Sequence, residues 1–237
     1  MQPQKPTETK EKVIEEFKAF LQNKEFPCVA AKAALERGQI RFFVADHIEC
    51  PHNDQEILEF LKIFKNEYRN SDAKFHSAVI IFIEPAEIDE EMFDKFLWKR
   101  LQALSDLDSE TNFADTRVDI DPTSPNFSFS INEEAFFVIG LNPGSSRTAR
   151  RFKYPSLVFN PHSQFEELRA EHLYEKMKSI VRKRDLSFSG SVNPMLQDYG
   201  TRSEVYQYSG RQYDKGWKCP LNIHNTHNRS DEKNSAA

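Results

Sequence analysis

Residues 126–165 read NFSFSINEEAFFVIGLNPGSSRTARRFKYPSLVFNPHSQF and carry the strongest structural signal in the chain. NFSFSI and AFFVIGL have the aromatic and branched composition of β-strands, and Asn132-Glu133-Glu134 between them suits a turn. We therefore predict an antiparallel hairpin. The LVF run that begins at Leu157 predicts a further strand, and a helical pattern follows it directly.

The chain before this segment alternates between helical and strand patterns. Apolar residues at helical spacing predict helices in VIEEFKAFLQN, over 30–35, over 55–68 and after an N-cap at Asp89. QIRFFVAD alternates as a strand does, and SAVIIFIE is a continuous apolar run typical of a central strand. A polar loop is predicted over 105–124.

After the hairpin and the LVF strand, we predict one long helix from about 162 to 183 and loops beyond Gly190. This order predicts an α+β fold with a central, mainly antiparallel sheet flanked by helices and a loop-rich C-terminal third. Residues 1–222 are expected to form a single domain, and the polar residues 223–237 a disordered tail.

Composition narrows the classes of function. With 237 residues and 38% hydrophobic content, the chain can bury one sizeable core. A net charge of −5 does not favour nucleic acid as a partner. No apolar run approaches the roughly 20 residues of a transmembrane helix, and the N-terminus lacks a signal-peptide pattern, so we expect a cytoplasmic protein without membrane contact.

The FNPHSQF motif places a histidine at the start of a helix. Asn160 is predicted as the N-cap and Pro161 as the first helical residue, which leaves His162 in the first turn. The positive end of the helix dipole disfavours a second positive charge, so the imidazole should stay neutral, as a metal ligand must. The residues alone also allow a histidine that simply bonds a neighbouring carbonyl.

Two further groups of polar residues are candidates for ligand contacts. Glu166 and Arg169 fall on the same helical face as His162, while Phe165 flanks it. Three arginines that follow the Asn-Pro-Gly turn could clamp carboxylates or phosphates: Arg147, Arg150 and Arg151. A solvated basic loop is an equally good interpretation of those arginines.

Common catalytic signatures are missing from the sequence. GxGxxG, GxxxxGK[ST], HExxH, GxSxG and paired ExxH motifs do not occur, which removes the usual nucleotide, zinc-protease, hydrolase and di-iron interpretations. Cys28, Cys50 and Cys219 are widely spaced and form no CxxC pair. We interpret them as reduced structural thiols.

Several motifs together resemble the YqcI/YcgG family. They are FPC at Cys28, NFSFSI, FFVIGLNPGSSRTARRF, VFNPHSQFEELR, GSVNPML from Gly190 and the stretch from QYSGR to WKCP that ends at Pro220. The resemblance extends from about residue 26 to 221, and NPHxQFxxLR and QYSGR are its most specific elements.

This resemblance implies a function. Characterised relatives are haem-dependent enzymes that hydroxylate a guanidino nitrogen of L-arginine or of a cyclic arginine derivative. It therefore implies a monooxygenase with haem b, whose partners are a small guanidino substrate, oxygen or peroxide, and an electron-donor protein. A second copy of the chain, in a homodimer, is a further candidate partner.

The resemblance also suggests roles for particular residues. His162 is the predicted iron ligand, the three arginines are predicted partners of the haem propionates, and Phe165 is predicted to contact the cofactor. Glu166 and Arg169 are the predicted catalytic residues, with Glu166 accepting hydrogen bonds from the guanidinium group. The predicted substrate-binding residues are Asn193, Gln207, Tyr208 and Arg211.

Other residues and other functions compete with this interpretation. The competing iron ligands are His47, His52, His76 and His172, together with Cys50 and Cys219, each of which precedes a proline. Weaker candidates for the carboxylate acceptor are Asp119, Asp121, Glu133 and Glu134. One alternative function is a non-haem iron oxygenase that uses His162, Glu166 and a distant histidine. The other is a haem sensor or carrier without catalysis.

Overall fold

A five-stranded sheet forms the centre of the computed structural model, which describes residues 9–191, 195 and 199–224. The strands are β1 (Ile40–His47), β2 (Ser77–Glu84), β3 (Phe129–Ile131), β4 (Glu134–Leu141) and β5 (Ser156–Pro161). Their order in the sheet is β1-β2-β5-β4-β3. β1 and β2 are parallel and the other neighbours are antiparallel, which confirms the predicted α+β fold with a mainly antiparallel sheet.

Helices lie on both faces of the sheet. They are α1 (Lys10–Gln22), α2 (Val29–Glu36), α3 (Asp54–Arg69), α4 (Glu90–Asp108), α5 (His162–Ala170), α6 (Tyr174–Ser189) and α7 (Val205–Tyr208). None of the helices in the described part of the chain is both long and apolar enough to span a bilayer. Asp89 caps α4 as predicted, and its side chain accepts from the backbone N–H of Met92.

The two faces of the sheet carry different apolar clusters. One face, with Ile80, Phe136 and Phe159, packs against α3 and α4 and forms the larger core. The opposite face, with Val79 and Leu141, packs against α1 and α2. Successive strand residues point to opposite faces, so each strand contributes to both clusters.

The predicted hairpin is confirmed, and its turn is two residues long. Asn132 and Glu133 have φ of 52° and 60°, the left-handed values that a tight type I′ connection requires. Glu134 already belongs to β4 and is buried, where it pairs with Arg69 (2.8 Å) and Arg117 (3.0 Å). These two ion pairs compensate the buried charge.

The predicted single helix over 162–183 is wrong. The chain leaves the helix after Ala170, His172 adopts φ of 59°, and α6 starts at Tyr174 and continues to Ser189. The backbone N–H of Leu173 bonds to the carbonyl of Leu168, which closes the end of α5. Neither glycine nor proline marks the break, and the helical pattern of apolar residues continues through it. No local signal therefore indicates that the helix ends there.

Two smaller predictions also need correction. Asn160 is not the N-cap of α5 but the penultimate residue of β5, where its side chain accepts from Ser77 Oγ (2.7 Å) and donates to the Phe137 carbonyl (3.2 Å). The stretch 105–124 was predicted as loop, whereas α4 extends into it as far as Asp108. Beyond Gly190, the described residues are turns and loops around α7, as predicted. The predicted disordered tail lies, from residue 225 onward, outside the described residues.

Gly140 allows α4 to approach the sheet closely. A Cβ at this position would lie 2.7 Å from atoms of both Leu97 and Phe93, which are fully buried on α4. We predict that Gly140→Ala lowers the free energy of unfolding by about 1–3 kcal/mol, because overpacking forces buried side chains off their preferred rotamers. Urea unfolding of this variant and of Gly216→Ala, where the nearest atom is 3.5 Å away, gives the comparison. Equal losses in the two variants would contradict the prediction.

Candidate functional site

A cavity of about 320 Å³ lies on the sheet face that α1 and α2 cover. Alternate residues of β4, namely Phe137, Ile139 and Leu141, form its floor. The remaining apolar wall comes mainly from Phe17, Leu21, Phe26, Val79, Val158 and Val181. Because α6 turns away from α5 at His172, its side chains also reach this cavity.

Polar residues gather at the two ends of the floor. His162 follows Pro161, which pairs with Phe136 at the start of β4. The arginine-containing loop follows Leu141 at the other end of the strand. The floor from residue 137 to 141 is therefore about 13 Å long at the usual strand rise. We call the group His162, Arg169 and Tyr199 the imidazole end, and Arg147, Arg150 and Asp185 the cationic end.

His162 is the first residue of α5 and is buried, with 6% of its surface exposed. Its Nε2 lies 3.3 Å from Glu166 Oε1, whereas its Nδ1 is buried without a hydrogen-bond partner. The ring centroid of Tyr199 is 4.3 Å away. Burial, more than any nearby charge, lowers the pKa of His162, so the imidazole is neutral near pH 7. A neutral ring with one nitrogen anchored and the other free is the form that binds a metal.

Glu166 and Arg169, the predicted catalytic residues, have different positions. Arg169 lines the cavity, with its guanidinium over the rings of Tyr174 (4.5 Å) and Tyr199 (5.7 Å). Glu166 is 52% exposed, does not line the cavity, and pairs with Arg169 NH1 at 2.5 Å. Glu166 can therefore orient His162 and Arg169 from outside the cavity.

At the cationic end, two of the three predicted arginines line the cavity. Arg147 is buried and donates to Asp185 Oδ2 (2.6 Å) and to the Ser191 carbonyl (2.8 Å). Arg150 donates to the carbonyls of Tyr208 (2.8 Å) and Gly140 (3.3 Å). Burial and the charge of Arg147 lower the pKa of Arg150 to about 10, which still leaves it protonated at pH 7.

The cationic end carries two positive charges, on Arg147 and Arg150, and one negative charge, on Asp185. Arg151, in contrast, is exposed, bonds the Ser145 carbonyl at 3.0 Å and lies outside the cavity. A surplus of one positive charge beside an apolar cavity favours a ligand with an anionic group.

The predicted substrate-binding residues do not all meet at the cavity. Gln207 lines it, whereas Tyr208 is fully buried in the core, where it stacks on Trp98 and meets Phe137 edge to face. Arg211 reaches Asp94 (3.5 Å) and does not line the cavity. Asn193 lies outside the described residues. Phe165, predicted as a cofactor contact, lines the cavity and packs against Phe137, with 6.1 Å between ring centroids.

The glycine of QYSGR has a structural explanation. Gly210 has φ of +88°, and a Cβ there would lie 2.6 Å from Arg150 Cδ. The conformation and the close approach both favour glycine. Part of this motif therefore holds Arg150 at the cavity rather than contacting a substrate directly.

A buried carboxylate, Glu204, is the main site residue that sequence reasoning missed. It lines the cavity, and Oε1 accepts from Tyr208 Oη (2.5 Å) and Ser128 Oγ (2.8 Å). Burial raises its pKa from the ordinary 4.5 to about 8. Asp185 and Tyr199 were missed as well. A glutamate one turn before QYSGR has no distinctive spacing, so the only available signal was its proximity to that motif.

None of the competing iron ligands lines the cavity. Among the described histidines, His162 is the one that lines the cavity. Cys28, which we interpret as a structural thiol, does line it, with Sγ accepting from the Ala31 N–H at the start of α2. Burial raises the pKa of Cys28, which disfavours the thiolate that would bind a metal. Across the described ranges, no three His, Cys, Asp or Glu side chains form a metal-binding group.

The residues present suit a haem. A flat apolar macrocycle needs an apolar enclosure, one protein ligand with a free lone pair, and cations for its two acidic side chains. The cavity supplies these through its floor, through His162 with its unpartnered Nδ1, and through Arg147 and Arg150.

The YqcI/YcgG family matches residues 17–222, which is most of the chain. No curated protein and no solved structure matches it.

The raised pKa of Glu204 makes a testable contribution to stability. Between pH 4.5 and about 8, the folded protein holds a proton on Glu204 that the unfolded chain releases, so this group's contribution to stability is lost as pH rises through that window. We predict that the change in unfolding free energy from pH 5 to pH 8 is less negative in Glu204→Gln than in the wild type, by on the order of 2 to 4 kcal/mol. Urea unfolding at both pH values tests this, with Glu167→Gln as an exposed control. A wild-type pH slope in Glu204→Gln would contradict the prediction.

Proposed function

This chain belongs to the YqcI/YcgG family, and from that premise we propose that it is a haem-dependent monooxygenase. Its substrate would be arginine or a related small amino-acid derivative, hydroxylated on a guanidino nitrogen. The observation that carries the proposal is His162, a buried imidazole with an unpartnered ring nitrogen, which lines an apolar cavity opposite two arginines. A single histidine suffices to hold haem iron.

In this proposal, His162 is the iron ligand and Glu166 orients it. The contact between Nε2 and Glu166 Oε1 (3.3 Å) fixes the ring orientation and increases the basicity of the imidazole. When bound, the haem supplies iron that activates oxygen or peroxide for transfer of one oxygen atom. The surrounding apolar wall keeps bulk water away from that chemistry.

Arg147 and Arg150 would hold the two propionates. Asp185 keeps the Arg147 guanidinium in place at 2.6 Å, and the carbonyls of Tyr208 and Gly140 do the same for Arg150. Both guanidiniums are thus positioned before a ligand arrives, which reduces the entropy lost on binding. A carboxylate at this end would offset the surplus positive charge.

Arg169 would meet the carboxylate of the amino-acid substrate. It lines the cavity, and its stacking on Tyr174 and Tyr199 fixes the guanidinium plane. Its pairing with Glu166 is on the exposed side, where the interaction is weak and exchangeable.

The purified protein, expressed with haem supplied, tests the proposal directly. We expect an intense Soret band, a change in the ferric spectrum when L-arginine is added, and a hydroxylated arginine when peroxide, or oxygen with a reductant, is supplied. Haem binding without arginine consumption would identify a sensor or carrier instead. Bound iron without a Soret band would favour a non-haem oxygenase.

We predict that His162→Ala abolishes stoichiometric haem loading, because the cavity then lacks its ligand nitrogen. Haem content is measured from the Soret absorbance per chain, and circular dichroism checks that the variant folds. External imidazole should restore the band in His162→Gly by filling the vacated space. His172→Asn, at an exposed left-handed position, is the control. A His162→Ala variant with normal haem content would rule out His162 as the ligand.

We predict that Arg150→Ala increases the rate of haem loss to apomyoglobin at least tenfold, since a propionate would lose its charged partner, which is worth about 1.4 kcal/mol or more. Arg151→Ala removes the same charge from an exposed position outside the cavity and should leave the rate unchanged. Equal rates in Arg150→Ala and wild type would remove Arg150 from the propionate site.

A further inference from the structure

Glu204 is a carboxylate enclosed in the protein interior and facing the cavity. Only 4% of its surface is exposed, and it lines the cavity. Both of its side-chain hydrogen bonds within the described residues, from Tyr208 and Ser128, end on Oε1. Oε2 is therefore the oxygen that remains to receive a donor from a ligand.

The hydrogen bonds around Glu204 fix its position without neutralising it. Tyr208, the last residue of the short helix α7 that Glu204 precedes, is itself held by the Phe129 N–H (3.1 Å), and Ser128 precedes β3. Among the described residues, no lysine, arginine or histidine forms an ion pair with Glu204. The charge of Arg169 on α5 acts to lower the pKa of Glu204, and the charge of Glu204 contributes to the raised pKa of Tyr199. An ionised carboxylate enclosed in this way lacks a cation.

We propose that Glu204 is the residue that receives the cationic group of the ligand, a guanidinium or amidinium whose paired N–H donors meet its free oxygen. The inference rests on the proposed function, because that function makes the cavity the substrate site. It assigns to Glu204 the role predicted for Glu166, which is exposed and outside the cavity.

The assignment has a consequence for protons. With a pKa of about 8, Glu204 is roughly nine-tenths protonated at pH 7 when no ligand is bound. A bound cation favours the carboxylate, so the Glu204 proton passes to the buffer as the cation takes its place. The groups that face Glu204 are Tyr208, Tyr199 and Arg169, and burial raises the pKa of both tyrosines, so they keep their protons.

Calorimetric titration of the haem-loaded protein with L-arginine tests the inference. Repeating the titration at pH 7 in buffers of different ionisation enthalpy gives the number of protons released. We expect nearly one proton per arginine at pH 7 and a release that falls toward zero by pH 9. L-citrulline, a neutral analogue of similar shape, should bind at least tenfold more weakly and release no proton. These measurements use the wild-type chain and do not depend on a variant that folds.

Variants then identify the residue. Glu204→Gln should weaken L-arginine binding at least tenfold, abolish proton release and reduce the preference over citrulline, while the Soret band is retained. Glu167→Gln, an exposed carboxylate on α5, should behave as wild type. Wild-type arginine affinity in Glu204→Gln would overturn the inference, as would the absence of L-arginine binding or of proton release in the wild-type protein.

The outcomes separate this inference from the proposed function. Arginine binding that depends on Glu204 without hydroxylation would leave the inference standing and overturn the monooxygenase. Hydroxylation of arginine at the wild-type rate and affinity by Glu204→Gln would do the reverse.

Discussion

The antiparallel pairing of β4 with β5 is the constraint on which the site depends. Phe136 is paired with Pro161 and Leu141 with Ser156, so the chain that leaves β4 and the chain that leaves β5 emerge at opposite ends of the same two strands. Arg147 and Arg150 belong to the first exit, and His162 belongs to the second. Their separation is thus set by strand length and backbone hydrogen bonds, which are far more rigid than surface loops.

Charge in the cavity follows the same geometry. The cationic end holds two arginines and one aspartate, and the imidazole end holds a neutral histidine with Arg169 nearby. Glu204 adds a carboxyl group that is mostly uncharged at pH 7. The ligand-free cavity therefore presents donors in excess, which suits acidic groups on a cofactor and on a substrate.

The parts of the fold that could be predicted are those with local signals. The hairpin, the buried run of β2 and the cap at Asp89 each follow from side chains that lie within a few residues of the feature. The break at His172 could not be predicted, because the residues around it are compatible with a continuous helix. The direction of α6 is set instead by its packing against α2, α5 and the loop that contains Arg150.

The same limit applies to the candidate site, because only its features with local signals could be predicted. His162 was expected to be neutral because of the helix dipole, whereas burial is the main cause in the folded protein. The sequence could not separate Arg150 from Arg151, since adjacent residues differ only in which side chain the short 3-10 turn over Thr148–Arg150 directs toward the cavity. The buried position of Glu204 depends on its hydrogen bond with Ser128. The two residues lie 76 positions apart in the sequence, so no local pattern indicates this contact.

The two faces of the sheet differ: one packs the larger apolar core and the other lines the cavity. The larger apolar core, against α3 and α4, lies on the face opposite the cavity, so most of the apolar burial is away from the cavity. Cavity-lining positions such as Val181 or Met177 can then change size or polarity with little penalty to folding. Replacements on the cavity face would therefore change the shape of the cavity while the opposite face preserves the architecture.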